Sequence, residues 1–205
     1  MIAAETGESD LDPQVAAAML QVPREAFVSP HQADLAYANR PLPIGHGQTI
    51  SQPVIVALMT QLLRPRAGLK LLEVGTGSGY QAAILAALGI EVFTVETIPE
   101  LAETARRQLR ELGYERVHVR CGDGSLGWPE EAPFDAIIVT AAGPRIPEAL
   151  VDQLRPGGRM VIPVGGPGFQ TLKLIEKAGD GGVHSRDVLP VAFVPLVGTS
   201  GEAKT

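Results

Sequence analysis

Short apolar runs alternate with amphipathic stretches from Leu69 onward. Leu69–Val74, Glu91–Glu96, Val117–Cys121, Phe134–Thr140 and Arg159–Val164 are brief and mostly apolar, which predicts strands. Tyr80–Leu88, Pro99–Leu112 and Ile146–Leu154, lying between them, carry helical spacing. Pro99 suits a first helical turn, Gly89 and Gly113 stand just past helix ends, and Arg155-Pro-Gly-Gly158 stops the third helix. Strand and helix in this rhythm predict an α/β fold with a doubly wound, mostly parallel, Rossmann-like sheet. Beyond Gly168 the helical spacing ends. Gln170–Lys177 and Val183–Val194 read as a C-terminal antiparallel hairpin on the sheet edge, turning at Gly179–Gly182.

The start of the chain reads as an N-terminal loop-and-helix addition. Asp12 and Pro13 predict a capped helix reaching about Gln21. Residues 22–50 hold Pro23, Pro30, Pro41, Pro43, Gly45 and Gly47, which predicts a long irregular loop of functional character. Ser51 is placed to cap a helix beginning at Gln52, whose Val54, Ile55, Leu58, Met59 and Leu62 share one face. The expectation is a single domain over 1–205, with flexible tails at about 1–11 and 199–205.

Composition narrows the function classes. An apolar share of 45% with only 4% aromatics predicts an aliphatic core and argues against a base-stacking surface. A net charge of −6 disfavours nucleic acid, and Arg106, Arg107 and Arg110 alternate with Glu103 and Glu111 as a solvated helix face. No apolar run approaches the roughly 20 residues of a membrane span, and the acidic N-terminus does not resemble a secretory leader. A cytoplasmic location without membrane association is therefore expected. The lone Cys121 reads as a buried residue at a strand end, and His31, His46, His118 and His184 lack metal-ligand spacing, so no metal is expected. With no long apolar surface helix to advertise an interface, a monomer is expected.

The candidate chemistry sits where the predicted strands end. Gly75-Thr76-Gly77-Ser78-Gly79 follows the first strand of the alternating region and opens a helix, so backbone can approach a ligand closely there. Its spacing, G-x-G-x-G followed by Tyr80, departs from the dinucleotide fingerprint. Glu96 ends the second strand, where a carboxylate can accept hydrogen bonds from both ribose hydroxyls of an adenosine. Gly122-Asp123-Gly124 ends the third, where Asp123 could receive an adenine amine, and Thr140-Ala141-Ala142 leaves room after the fourth. Open α/β sheets bind ligands at these carboxyl ends, so the joint pattern points to a nucleoside cofactor.

These blocks, with Phe134–Thr140 and Leu154-Arg-Pro-Gly-Gly158, resemble the ordered motifs of class I S-adenosylmethionine-dependent methyltransferases. Val22-Pro-Arg-Glu-Ala-Phe27, Pro41–Pro53, Ile162–Gly165 and Phe193–Leu196 resemble signature blocks of the protein-L-isoaspartate O-methyltransferase family, over roughly residues 12–198. Ser29 and Ser125 depart from the family pattern. The resemblance implies methyl transfer from S-adenosylmethionine, leaving S-adenosylhomocysteine, to the free α-carboxyl of L-isoaspartyl residues in damaged proteins and peptides. It implies Ser51 as catalytic residue, its hydroxyl orienting the substrate carboxylate. It also implies cofactor contacts from Thr49, Ile50, Ser51, Glu73, Gly75, Thr76, Gly77, Ser78, Gly79, Glu96 and Thr97. Gly122, Asp123, Gly124, Thr140 and Ala141 complete that set, and Ile44, Gly45, His46, Gln48 and Val194 would meet substrate. His46 itself reads as a solvent-facing loop residue rather than a base. A carboxylate nucleophile is already ionised at neutral pH, so the reaction needs alignment and not a general base.

Three other readings stay open on the sequence. A class I methyltransferase of a small molecule or RNA shares the cofactor motifs, although Thr140-Ala-Ala-Gly143 lacks the Asn/Asp-Pro-Pro-aromatic run of base methylation. The glycine spacing speaks against a nicotinamide oxidoreductase. A non-catalytic binding module would have no need of Ser51, Glu96 and Asp123 together.

Overall fold

The computed structural model describes residues 11–199; the tails expected at about 1–11 and 199–205 lie outside the described residues except for Leu11 and Thr199. Nine strands and five α-helices are formed among the described residues. Seven strands make one sheet. In chain order they are β3 (Lys70–Val74), β4 (Glu91–Glu96), β5 (Val117–Cys121), β6 (Phe134–Val139), β7 (Leu154–Gly166), β8 (Phe169–Lys177) and β9 (Val183–Val191). Their spatial order is β5-β4-β3-β6-β7-β8-β9; β3 to β7 pair in parallel, and β8 runs antiparallel to both β7 and β9. This is the expected doubly wound sheet, with the C-terminal hairpin on its edge. Between β3 and β6 the strand order reverses direction, and a crevice opens there at the carboxyl ends.

Period-two alternation along the strands builds two cores. Leu71, Val92, Ala136 and Ile138 face one side, where they pack with residues of α1 (Pro13–Gln21), α2 (Pro53–Leu62), α3 (Tyr80–Ala87) and α4 (Pro99–Glu111). Leu72, Phe93, Ile137 and Val139 face the other side, where Leu150 of α5 (Glu148–Gln153) joins them. Each fully buried Leu or Ile contributes about 1.5–3 kcal/mol, so these two layers supply most of the driving force for folding.

Several local expectations change. Ser51 does not cap α2: the helix starts at Pro53 behind Gln52, and no side chain caps it. Helix α2 is also buried over most of its surface, from Val56 to Leu62, because α1 and the 22–50 segment cover what one amphipathic face would leave open. Ile146 stays out of α5, since a residue preceding proline is pushed from the helical region and Pro147 serves as the cap. Strand β7 begins at Leu154, before Arg159, with a register shift where Phe134 and Ala136 of β6 face Leu154 and Arg159. Cys121 is exposed, not buried, because β5 is an edge strand.

The segment 22–50 is not one irregular loop. It forms 3-10 turns at Arg24–Phe27 and Pro30–Leu35, then an antiparallel hairpin of β1 (Leu42–Gly45) and β2 (Gln48–Ile50). His46 and Gly47 make the two-residue connection with φ of 53° and 71°. Positive φ at both central positions matches the twist of a tight hairpin. No helix among the described residues is long and apolar enough to cross a membrane.

Candidate active site

The crevice beside β3 is a cavity of about 330 Å³. Its floor is the turn leaving β3. Gly75, Gly77 and Gly79 adopt φ of 96°, 53° and 88°, values that side chains disfavour. A Cβ on Gly75 would sit 2.3 Å from Thr140 Oγ1. That hydroxyl donates to the carbonyls of both Val74 and Gly75, at 3.0 and 2.7 Å, and so ties the end of β6 to the turn. The Gly75 amide in turn donates to Val95 of β4 at 2.8 Å. Three adjacent strand ends are thereby locked around the cavity.

Glu96 is the carboxylate of the cavity wall. It is 5% exposed; its Oε2 accepts from the Gly77 amide at 2.8 Å and its Oε1 from the Ile98 amide at 3.0 Å. Each oxygen keeps a lone pair for a further donor. Thr97, Ile98 and Pro99 continue the wall, and Leu196 with Val194 closes it from the C-terminal segment. Gln48, Thr49, Ile50 and Ser51 enter from β2 and the residue after it. Thr76, Ser78, Gly124 and Ala141 also face the cavity, as do Gly75, Gly77 and Thr140.

The remaining expected residues lie elsewhere. Glu73 does not reach the cavity. It points to the same sheet face as Leu71, is fully buried, and its Oε2 accepts from the Thr94 hydroxyl at 2.6 Å. Thr94 accepts in turn from Thr76 at 2.6 Å, while Glu73 Oε1 has no partner. Burial pushes the Glu73 carboxyl up to about 8; the Thr94 hydrogen bond opposes this and the nearby Glu96 charge adds to it. Asp123 does not line the cavity either. Its Oδ1 accepts from the Ser125 amide and hydroxyl at 2.9 and 2.7 Å, and its Oδ2 from the Thr199 amide and hydroxyl at 2.8 and 3.0 Å. Burial raises the Asp123 carboxyl, yet the Ser125 and Thr199 hydrogen bonds outweigh it and hold it below its ordinary value.

Gly79 opens α3 and packs against Leu109 of α4, where a Cβ would come within 3.1 Å, and Gly122 only precedes the Asp123 turn. Ile44, Gly45 and His46 belong to the hairpin but stand outside the cavity lining. The Ile44 δ-methyl nevertheless comes within 3.4 Å of where a Gly77 Cβ would lie.

Sequence reasoning missed Met59, Tyr80, Gln81 and Pro195 as lining residues. Met59 and Tyr80 are buried with the core, so helical periodicity gave no hint that one side of each faces a cavity. Pro195 lay within a block whose neighbours were singled out, and its bridge to Ala142 is what brings that block over the crevice.

The fold, the glycine turn and an acidic end to the second parallel strand define a class I methyltransferase. The match to a family model narrows the class: the model described as Protein-L-isoaspartate(D-aspartate) O-methyltransferase (PCMT) covers residues 4–201, and the chain belongs to that family. A protein-L-isoaspartate O-methyltransferase 2 of Polaromonas sp. is 60% identical, over 95% of this chain and 92% of the relative. One from Syntrophobacter fumaroxidans is 58% identical, over 94% of this chain and 78% of the relative. A solved protein-L-isoaspartate O-methyltransferase aligns with a TM-score of 0.86 and 31% identity over 93% of this chain, which spans 63% of that structure. A Plasmodium falciparum protein assigned to the same activity, crystallised with S-adenosyl-L-homocysteine, aligns at 0.80 with 28% identity over 93% of both chains.

Proposed function

We propose that this chain transfers a methyl group from S-adenosylmethionine to the free α-carboxyl of L-isoaspartyl residues in damaged proteins and peptides. The observation carrying the reading is the Gly75–Gly79 turn bonded to Glu96 in the wall of a cavity that Ser51 also lines. The cradle fits a nucleoside sulfonium: the glycine turn at 75 and 77 presents backbone without side chains to the cavity, and Glu96 retains acceptors for ribose hydroxyls. When bound, the sulfonium supplies the electrophilic methyl carbon.

The chain's own residues do the rest. Thr76, Gly77 and Glu96 hold the adenosine, and Ser51 with Gln48 and Val194 positions the substrate. The Ser51 hydroxyl donates to the carboxylate and directs one oxygen along the attack line. Apolar side chains at Ile98, Pro99 and Leu196 line the cavity and offer less solvation than water, which favours a reaction that joins opposite charges. The resulting ester closes to a succinimide as the neighbouring backbone nitrogen attacks its carbonyl, gives up its proton and displaces methanol, and hydrolysis returns part of the succinimide to normal aspartate. Asp123 is assigned to the adenine amine only if Thr199 releases Oδ2, since both of its oxygens are taken. Glu73, behind Thr76, acts on the cofactor turn through the Thr94–Thr76 hydroxyl pair and not by contact.

The same reading treats residues 1–205 as one catalytic domain, monomeric and cytoplasmic, working without nucleic acid or membrane; the net charge of −6 supports the last point. Size-exclusion chromatography with light scattering tests the monomer. The activity is tested with labelled S-adenosylmethionine and a matched peptide pair, one isoaspartyl and one aspartyl. Label on the isoaspartyl peptide alone is the expected result. Cofactor binding with no label on either peptide would remove the substrate assignment.

A further inference from the structure

Arg24 is fully buried, yet no carboxylate pairs with it among the described residues. Its Nε donates to the Ala36 carbonyl at 2.6 Å, and one terminal nitrogen donates to the Ser51 carbonyl at 2.6 Å. The guanidinium lies over the Tyr80 ring, 4.7 Å from its centre. The other terminal nitrogen, Nη1, has no hydrogen-bond partner and no solvent contact. The adjacent Glu25 does not compensate this charge: it accepts instead from the Tyr37 hydroxyl. Ser51 and Tyr80 both line the cavity, so the cation stands directly behind its wall.

A buried cation without a counter-ion is costly, and arginine does not shed its proton. Two neutral donors would serve the Ala36 and Ser51 carbonyls equally well. The Tyr80 phenol answers part of the positive charge, which leaves room for an anion at the cavity side, and the reaction proposed above brings a carboxylate there. On that reading, we infer that Arg24 is a positioning residue for the methyl-acceptor carboxylate. It clamps the Ser51 carbonyl, which sets where the Ser51 hydroxyl points, and its charge favours an anion at the adjoining wall. The cofactor carries an amino-acid carboxylate of its own, so S-adenosylhomocysteine affinity is the control that tells the acceptor carboxylate from the cofactor's.

Steady-state kinetics of Arg24→Met and Arg24→Lys, with isoaspartyl peptide varied at saturating S-adenosylmethionine, test this alongside calorimetric binding of S-adenosylhomocysteine. Arg24→Met is expected to raise the peptide KM about tenfold or more while the S-adenosylhomocysteine Kd stays within about threefold. Arg24→Lys restores the charge but not the planar fork, so KM recovers while kcat stays down by about tenfold. An unchanged KM and kcat in Arg24→Met would overturn the inference. So would parallel losses of peptide and S-adenosylhomocysteine affinity, the mark of a strut for the whole cavity.

If the variants fail to fold, the unmodified protein answers through competition. An isoaspartyl peptide whose α-carboxyl is replaced by carboxamide is expected to bind at least about tenfold more weakly than the carboxylate. Equal binding of the two would remove any role for the Arg24 charge. A wild-type enzyme that labels the isoaspartyl peptide while these comparisons fail sinks the Arg24 inference alone; absence of label on that peptide sinks the substrate reading instead.

Discussion

The Gly77 amide donates to Glu96 Oε2 across 2.8 Å, joining the turn after β3 to the carboxyl end of β4. This one bond orients the only carboxylate among the lining residues of the cavity and restrains the turn that faces it. Glu96→Gln replaces half of the acceptor pair with a donor that meets the Gly77 or Ile98 amide head on. It is expected to weaken S-adenosylhomocysteine binding by about 10- to 100-fold, with a small fall in Tm. Calorimetric titration checks this, and an unchanged Kd would place the ribose elsewhere.

Gly75 carries both a positive φ of 96° and a Cβ position 2.3 Å from the Thr140 hydroxyl. Gly75→Ala must therefore strain the turn and break the Thr140 hydrogen bonds to Val74 and Gly75 together. Destabilisation by about 2–4 kcal/mol and loss of cofactor binding are expected, read by urea unfolding and by titration. An alanine variant as stable as the parent would mean that the turn can relax at little cost.

Ser51→Ala separates catalysis from stability, because the Ser51 side chain caps no helix. The expected outcome is a kcat lower by about tenfold or more, with Tm nearly unchanged and the S-adenosylhomocysteine Kd within about threefold. A large drop in Tm with kcat intact would return Ser51 to a purely structural role.

Glu73 links stability to pH. Its carboxyl is raised to about 8 by burial, whereas an unfolded chain titrates it near an ordinary glutamate. Between those values the folded state holds the extra proton, so folding is favoured at low pH and weakened as pH rises through 8. Above that the penalty is constant and amounts to several kcal/mol. Glu73→Gln abolishes this titration. Relative to the parent, it is expected to gain stability between pH 6 and about pH 9, while near pH 5 the two differ little. Thermal melts of both proteins across that range decide the matter, and parallel curves would show that Glu73 is charged throughout.

Much of the molecule follows from the order of its residues alone. Strands β4 and β5 fall on the predicted bounds, and α1 is capped by Asp12, whose carboxylate accepts from the Gln14 amide. The doubly wound order, the glycine turn and the position of Glu96 were legible for the same reason: periodicity, caps and turns are set by residues close in the chain. The hairpin at 42–50 was hidden by its prolines, although His46-Gly47 is a weak form of the two-residue hairpin signal.

What the sequence could not decide is which polar side chain meets the cavity and which is sealed away. Glu73 and Glu96 are the same residue type at the ends of neighbouring strands. One is buried against Thr94 with an unpartnered oxygen and the other is held at the wall by Gly77, because helix cover over the first comes from distant parts of the chain. Nothing in the residues next to Arg24 tells of its burial, and Ala36, Ser51 and Tyr80 close around it only in the folded chain. Asp123 reads as a cofactor ligand, and only the folded chain brings Thr199 to its Oδ2. Local patterning determined the elements and their ligand-binding edge, while burial and partnership were decided by contacts between residues far apart in sequence, which only the packed tertiary structure brings together.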